Sequence, residues 1–463
     1  MEQQQNDMDW YQDIDFRDIR HRFMSINNAR LELVQNTLKP SKQPFLELLP
    51  LLFHLNHPSL PGYVSHNCPF GIPLYHPATE VLEKAQNIFA KSFKPPRGAV
   101  REDIHALYIM GSAGTIAFSD KSDLDIWICH DPELKKDALR MLQDKAHRIE
   151  AWADELGLEV HFFLVNAHSL REGITDDLSD ESSGSAQHIL LLEEFYRTSI
   201  LLEGRFPLWW LVPAEVEKQY QQAADTIIKQ RFINEQEVID FGGLGQIPGG
   251  EFFGAAVWQL TKGINSPYKS VLKIVLTECY ASEYPQVELL AHRFKKMIHD
   301  GIESIEILDP YLMLYDRLNH YLQKHDPKRL SLMQQAFYLK VHAPQSRQAP
   351  AAEKWRYDRI QQLTSVWGWG DYEYNQLDSN ADWKADTVDS ARKEIIQELT
   401  KSYQSLSNFS RQLDVDPNIS KQDLTVLGRK LFAAFERKAG KIDIINRGIA
   451  RGLDENEITL NQT

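Results

Sequence analysis

Residues 107–129 constrain this chain more than any other stretch. They read Leu-Tyr-Ile-Met-Gly-Ser-Ala-Gly-Thr-Ile-Ala-Phe-Ser-Asp-Lys-Ser-Asp-Leu-Asp-Ile-Trp-Ile-Cys. One apolar run, Leu107 to Met110, ends in Gly111-Ser112, and a second, Ile126 to Cys129, opens on Ser122-Asp123-Leu124-Asp125. The pattern predicts a strand, a tight turn with a short helix, and a second strand. Successive strand side chains face opposite ways, so Asp123 and Asp125 share one face. Leu124, Ile126 and Ile128 share the other, which faces the core. Two carboxylates side by side repel, and that arrangement costs stability unless a cation lies between them. An all-oxygen donor set suits Mg²⁺ or Mn²⁺. Gly111 lets the backbone approach a phosphate closely. Ser112 offers a hydroxyl and an N–H at the start of the short helix, where anions are favoured.

Asp-x-Asp alone is common. Gly111-Ser112 followed by Asp123-Leu124-Asp125, with a strand-like run on each side, resembles the signature of the DNA polymerase β-like nucleotidyltransferase superfamily. In that superfamily the Gly-Ser holds a triphosphate, the carboxylates hold two metal ions, and a third carboxylate comes from a neighbouring strand. Leu158 to Val165 reads as such a strand, with Glu159, His161 and Phe163 on one face. Glu159 is the candidate third carboxylate, and an ordinary strand-edge glutamate is the alternative.

Composition narrows the setting. A chain of 463 residues suggests two to four domains. Its 43% hydrophobic and 25% charged content supplies an ordinary globular core. A net charge of −14 argues against a general nucleic-acid or anionic-membrane surface. Cys68, Cys129 and Cys279 are far apart and odd in number, which fits a reducing cytoplasm and no disulfide framework. The polar, acidic start does not read as a signal peptide. No apolar run reaches bilayer length, so no membrane insertion is expected.

Helical spacing predicts helices over 15–38, 42–55 and 77–92, an N-terminal helical segment (1–100) packing on the core. The catalytic domain is expected over 101–213. It includes a helix over 133–156 stopped by Gly157, and a helix over 187–203. Residues 205–213 are expected to lead out of it. The polar stretch 166–186 is long enough for a mobile flap. From 214 to 463 the pattern is nearly all helical, with a linker at 342–352. Helices are predicted at 214–229, 251–263, 267–282, 286–300, 310–324, 328–341, 353–366, 387–413 and 421–438. The fold class is therefore α+β and predominantly helical. Lys91, Lys94 and Arg97, around Pro95-Pro96, read as a solvated linker or as the mouth of a nucleotide site. His54, His57, His66 and Cys68 match no common zinc spacing, and His54 lies in an apolar helix as a packed histidine would.

The second informative stretch is 251–273. Lys269 and Lys273 share a helical face, which by itself reads as a solvated surface. The segment Glu-Phe-Phe-Gly-Ala-Ala-Val-Trp-Gln-Leu-Thr-Lys (251–262), followed by Ser-Pro-Tyr-Lys (266–269), resembles the class I adenylate cyclases of enterobacteria and their relatives. That family carries Glu-Tyr-Phe-Gly, two small residues, then Leu-Trp-x-Leu-Tyr-Lys, and this chain departs mildly at Phe252, Val257 and Thr261. Further matching stretches are Tyr-Ile-Met-Gly-Ser (108–112), Ser-Asp-Leu-Asp-Ile-Trp (122–127), Gln-His-Ile-Leu-Leu-Leu (187–192), Glu-Phe-Tyr-Arg-Thr (194–198) and Phe-Tyr-Leu-Lys-Val (337–341). They run in family order over nearly the whole chain.

The resemblance implies a Pol β-like nucleotidyltransferase core, a small mixed sheet with helices, plus a large all-helical domain that contributes phosphate-binding lysines. It implies conversion of ATP to 3′,5′-cyclic AMP and pyrophosphate. Asp123 and Asp125 are then assigned to two Mg²⁺ (or Mn²⁺) ions. Glu159 completes the site on the 3′-hydroxyl side or accepts the proton. Gly111, Ser112 and Ser122 are expected to position phosphates. Lys269, Lys273 and Lys262 are expected to offset charge building on pyrophosphate. The family's long C-terminal regulatory region has no counterpart here, so regulation through the glucose-specific phosphotransferase protein is not expected. Two other readings compete. One is nucleotide transfer to a separate acceptor (an RNA, a small molecule such as an antibiotic, or a protein), and the acidic balance speaks against RNA. The other is an inactive ATP-binding sensor, against which the intact Gly-Ser and Asp-x-Asp argue.

Overall fold

The two apolar runs of the opening stretch form β1 (Ile104–Met110) and β2 (Leu124–His130), an antiparallel pair in which Met110 lies opposite Asp125. The structure, a computed structural model, describes residues 10–94, 101–174, 183, 186–345, 354–413, 419–435 and 448–450. β3 (Val160–Val165) runs parallel to β2, and β4 (Ile200–Gly204) runs antiparallel to β1. The result is a mixed sheet of order β3-β2-β1-β4.

Strand alternation sends the two faces into two separate cores. Leu107, Ile109, Leu124, Ile126, Ile128 and Phe162 pack on one side. There they meet α2 (Gln43–His54) and α4 (Lys136–Glu155), which belong to a first set of helices with α1 (Phe16–Thr37) and α3 (Thr79–Ile88). Tyr108, Met110, Trp127, Cys129 and Val165 face the opposite way. They meet α6 (Ile189–Thr198), reached through the short α5 (Ala167–Arg171), and the Trp127 ring stacks on Phe195 at 4.4 Å. Fully burying a side chain of this kind contributes roughly 1.5–3 kcal/mol. Asp15 caps α1 by accepting the N–H groups of Arg17 and Asp18. Gly157, at φ +74°, closes α4 as expected.

The helical region continues the second core. It comprises α7 (Tyr220–Lys229), α8 (Gly249–Lys262), α9 (Pro267–Glu283), α10 (Leu290–His299), α11 (Pro310–His325), α12 (Leu330–Val341), α13 (Lys354–Trp367), α14 (Asp371–Asp378), α15 (Ala385–Gln412) and α16 (Lys421–Phe435). Phe16, Ile19, Phe23 and Ile26 of α1 lie in this same core, so the first helix binds sheet and helical region together.

Several expectations are corrected. No helix lies between Gly111 and Asp123, and the segment is a series of turns. The helix expected over 187–203 ends at Thr198, after which Ile200-Leu201-Leu202 becomes the edge strand β4. Residues 205–213 also build structure of their own. Phe206–Pro207 pairs with Val238–Ile239 as a second, two-stranded sheet, β5 and β6. Trp209 is fully buried, stacked on Tyr196 at 4.2 Å, and donates to Glu217. α14 was not anticipated. Residues 175–182, 184 and 185 of the expected 166–186 flap, Arg97 and residues 346–352 of the expected linker lie outside the described residues. Among the described residues, no helix is long and apolar enough to cross a membrane.

Candidate active site

The sheet face that carries Asp125 opens into a cavity of about 650 Å³. Its floor is made by Gly111, Asp123, Asp125, Glu159, His161 and Phe163, and its opposite wall by Trp258, Lys262, Lys269 and Lys273 of α8 and α9, with Glu194 of α6 between. The sheet register explains the floor. Asp125 lies level with His161 on β3, and Trp127 with Phe163. The Glu159 carbonyl accepts the Leu124 N–H at 2.9 Å, which fixes Glu159 at the mouth of the strand pair. Its exposed carboxylate lies 3.3 Å from His161 Nε2.

The electrostatics are those of opposed acids and lysines. The Lys269 ammonium holds Asp123 below the usual carboxylate range, with Lys340 and His161 acting the same way. Burial alone would lower Lys269, but Asp123 first, then Tyr311, Asp125 and Glu194, raise it. Lys273 lies 2.7 Å from Glu194. Burial alone would push Glu194 up; Lys273 overrides this and holds it down at about 2. Lys340 of α12 adds a third ammonium, brought down to about 8 by burial and by Lys269. Lys262 lies over the Trp258 ring at 5.3 Å.

Gly111 adopts φ +89°, and a Cβ there would stand 3.8 Å from Asp125 Oδ2, so the glycine leaves room directly beside the carboxylate. Its N–H is already used, donating to Thr198 Oγ1 at 3.1 Å. Ser112 is buried and its carbonyl accepts from Thr115. Ser122 Oγ accepts the Ser119 N–H at 3.0 Å, a turn-forming role. Among the described residues Gly111 lines the cavity, whereas Ser112 and Ser122 do not. Asp123, Asp125, Glu159, Lys262, Lys269 and Lys273 are all brought together on it.

Among the described residues, no three His, Cys, Asp or Glu side chains converge as a ready-made metal cage. That holds for the acidic face and for His54, whose Nδ1 accepts the Ile72 N–H and whose ring packs on Tyr75. Mg²⁺ is commonly held by one or two carboxylates together with substrate phosphates, rather than by an all-protein cage. Asp123 and Asp125, turned into one cavity beside an unobstructed glycine, fit that pattern.

The turn between Gly111 and Asp123 is held from outside. Arg30 of α1 donates to the carbonyls of Ala113, Gly114, Thr198 and Ser199. Gly114, at φ +62°, lets this happen, because a Cβ there would meet the Arg30 carbonyl at 2.8 Å. Asp309, the N-cap of α11, accepts the N–H groups of Ile116, Tyr311 and Leu312, and burial raises it to about 6. Arg356 of α13 donates to the Ile116 carbonyl at 3.0 Å. None of these, nor Glu194 or Lys340, was singled out from the sequence. Glu194 and Lys340 did fall within the matching stretches 194–198 and 337–341, and Arg30, Asp309 and Arg356 left no local signal.

A small mixed sheet with a paired acidic strand, facing lysines from a helical region, defines the molecule's class in structural terms. Comparison with known proteins supplies the family. A family model described as "Adenylate cyclase NT domain" matches residues 15–210, and one described as "Adenylate cyclase, class-I, second domain" matches residues 247–446. The chain belongs to the class I adenylate cyclase family. It is 39% identical over 449 residues to an adenylate cyclase of Salmonella typhimurium, covering 95% of this chain and 52% of that protein. It is 40% identical over 446 residues to one of Escherichia coli (95% and 52%). It is 37% identical over 449 residues to one of Proteus mirabilis (95% and 52%). The chain thus spans about half the length of the curated relatives it matches. No solved structure matches it.

Proposed function

We propose that this chain converts ATP to 3′,5′-cyclic AMP and pyrophosphate in the cavity between sheet and helical region. The observation that carries the reading is the opposition of Asp123 and Asp125 to Lys269 and Lys273 across one cavity, in a member of a family whose relatives are named adenylate cyclase. The ribose 3′-oxygen attacks the α-phosphorus of the same molecule, the bond to the β-phosphate bridging oxygen breaks, and pyrophosphate leaves. Mg²⁺ or Mn²⁺, two ions held by Asp123 and Asp125, would supply charge neutralisation at the triphosphate and a more acidic 3′-hydroxyl.

The protein's own groups do the rest. Lys269 and Lys273, with Lys262 further along the same wall, stand where charge accumulates on the leaving group, and fixed cations there favour the transition state over the ground state. Gly111 gives the triphosphate backbone-level approach to Asp125. Glu159, hydrogen-bonded to His161 at the cavity mouth, takes the role of third carboxylate or of acceptor of the 3′-hydroxyl proton. Ser122 Oγ accepts the Ser119 N–H and the Ser112 carbonyl accepts from Thr115, which leaves the Ser112 hydroxyl as the serine group for a phosphate. The strand–turn–strand supports reading the sheet as a Pol β-like core. The three buried free thiols accord with a reducing cytoplasm.

Incubation of the purified chain with ATP and Mg²⁺ alone tests the reading. Cyclic AMP and pyrophosphate in equal amounts are expected. Pyrophosphate release only when a second acceptor is added would establish transfer to that acceptor instead, and metal-dependent ATP binding without turnover would establish a sensor.

A further inference from the structure

We propose that Arg356 is a positioning residue for the acidic site, setting the carboxylate turn from a helix that contributes nothing to the cavity wall. The turn has little structure of its own. Its internal backbone bonds are the short-range ones of Thr115 to Ser112, Phe118 to Thr115 and Ser122 to Ser119. Buried backbone polar groups must find partners, and here side chains from far along the sequence supply them. Ile116 is fully buried midway between Gly111 and Asp123. Its N–H is taken by Asp309 at 2.7 Å and its carbonyl by Arg356 Nε at 3.0 Å.

Arg356 is 1% exposed, and a guanidinium is expensive to bury unless its donors are used. One is spent on Ile116, and a second reaches the carbonyl of Val341 at 2.5 Å. Val341 ends α12 and follows Lys340, which acts electrostatically on Asp123 and Lys269. One side chain therefore fixes the acidic turn and the lysine-bearing end of α12 relative to each other. Asp125 is anchored independently, inside the sheet. Slackening Arg356 leaves Ile116 held by Asp309 alone, while Gly111 stays tied to Thr198, so the Asp123 end of the turn can shift against Asp125, and displacements of about 1 Å at a reacting centre cost about 10²-fold in rate.

The inference rests on the proposed reading that Asp123 and Asp125 hold divalent cations with the triphosphate. Its test compares the full wild-type chain with Arg356→Lys, which keeps the charge but not the forked donors, and with Ile360→Ala. Ile360 is fully buried on the same helix, so its truncation weakens α13 through packing while leaving both hydrogen bonds to the Ile116 backbone in place. Binding of α,β-methylene-ATP is titrated with and without Mn²⁺, and kcat is expressed per analogue-binding site. For Arg356→Lys, affinity without metal stays within about twofold. Half-saturating Mn²⁺ rises about tenfold, and kcat per site falls about 10²-fold with little change in KM. Ile360→Ala lowers the melting temperature and leaves both per-site values as in the wild type. Unchanged Mn²⁺ dependence and kcat per site in Arg356→Lys would overturn the proposal, and so would the same losses in Ile360→Ala. A wild-type chain that binds the analogue with Mn²⁺ but forms no cyclic AMP overturns the cyclase reading, and the Mn²⁺ shift alone then decides the role of Arg356.

Discussion

Asp123 and Lys269 keep each other ionised across the cavity, the aspartate held down by the lysine and the lysine held up by the aspartate. Replacing the acid removes one carboxylate from the floor but leaves Lys269 with Asp125 and Glu194 for company. Asp123→Asn is therefore expected to keep the wild-type circular dichroism and melting temperature within a few degrees while cyclic AMP formation falls by at least about 10²-fold. Near-normal turnover would contradict the assignment. Lys273 is different, because it is bound to Glu194 and neither group is fully exposed, with side-chain exposures of 26% and 20%. Lys273→Met strands a largely buried carboxylate and should cost about 1–3 kcal/mol as well as activity. Adding Glu194→Gln should return most of the stability and none of the rate, a separation that thermal melts and initial velocities on the wild type, the single variant and the double variant will read. The acid pair was legible in the sequence because its spacing is local, two residues apart beside Gly111-Ser112; the lysines, four apart on a helix, read as a solvated face until the resemblance of 251–269 to the family singled them out. Glu194 was not, because its pairing with Lys273 joins positions on two different helices that meet only in the folded molecule.

At the level of elements, strand β4 shows where periodicity stops being informative. Ile189 to Ile200 keeps a helical spacing, and the apolar run Ile200-Leu201-Leu202 extends it plausibly. A short apolar run does not distinguish a buried strand from a buried helix turn. What decides is tertiary: the open edge of β1 pairs with Ile200 and Leu201, and Asn27 of α1 both donates to and accepts from the Leu201 backbone. The turn at 111–123 failed as a helix for the complementary reason, its backbone bonds being taken by Arg30, Asp309 and Arg356. By contrast β1, β2, β3 and the long amphipathic helices were readable, because each carries its own alternation or stripe. Strand β4 also carries Glu203, opposite Leu107, whose carboxyl burial pushes up to about 7. An acid with a raised folded-state pKa stays protonated in the native chain while the unfolded chain ionises. Stability from this group is thus fully present below the ordinary glutamate range and is lost as pH rises toward 7. Glu203→Gln removes the effect. Its melting temperature relative to wild type is expected to be higher at pH 8 than at pH 5, and an equal difference at both would contradict the assignment.

The described molecule is held by charge pairs buried between helices as well as by its apolar clusters. Arg329, at the entry to α12, donates to Glu278 of α9, to Glu398 of α15 and to Ser402 Oγ, and the three ionic side chains are 7–9% exposed. Such a triad adds little net stability over apolar residues of the same size, yet removing one member leaves the others buried and uncompensated. Arg329→Met leaves two facing carboxylates and is expected to cost about 3–5 kcal/mol, read as a lower urea midpoint. The loss should be global rather than catalytic. Glu278 lies nine residues beyond Lys269 on the same helix, about 14 Å along its axis, and the first turn of α9, where Lys269 meets the cavity, makes no contact with Arg329 in the triad. Below the unfolding transition, KM for ATP should therefore stay near the wild-type value. Neutralising the acids in the same chain, with Glu278→Gln and Glu398→Gln, should recover most of the midpoint because the stranded charges are then gone. If the triple variant remained as unstable as Arg329→Met alone, the cost would lie in the lost volume and packing of the arginine, and the ionic account of how α9, α12 and α15 hold together would fail.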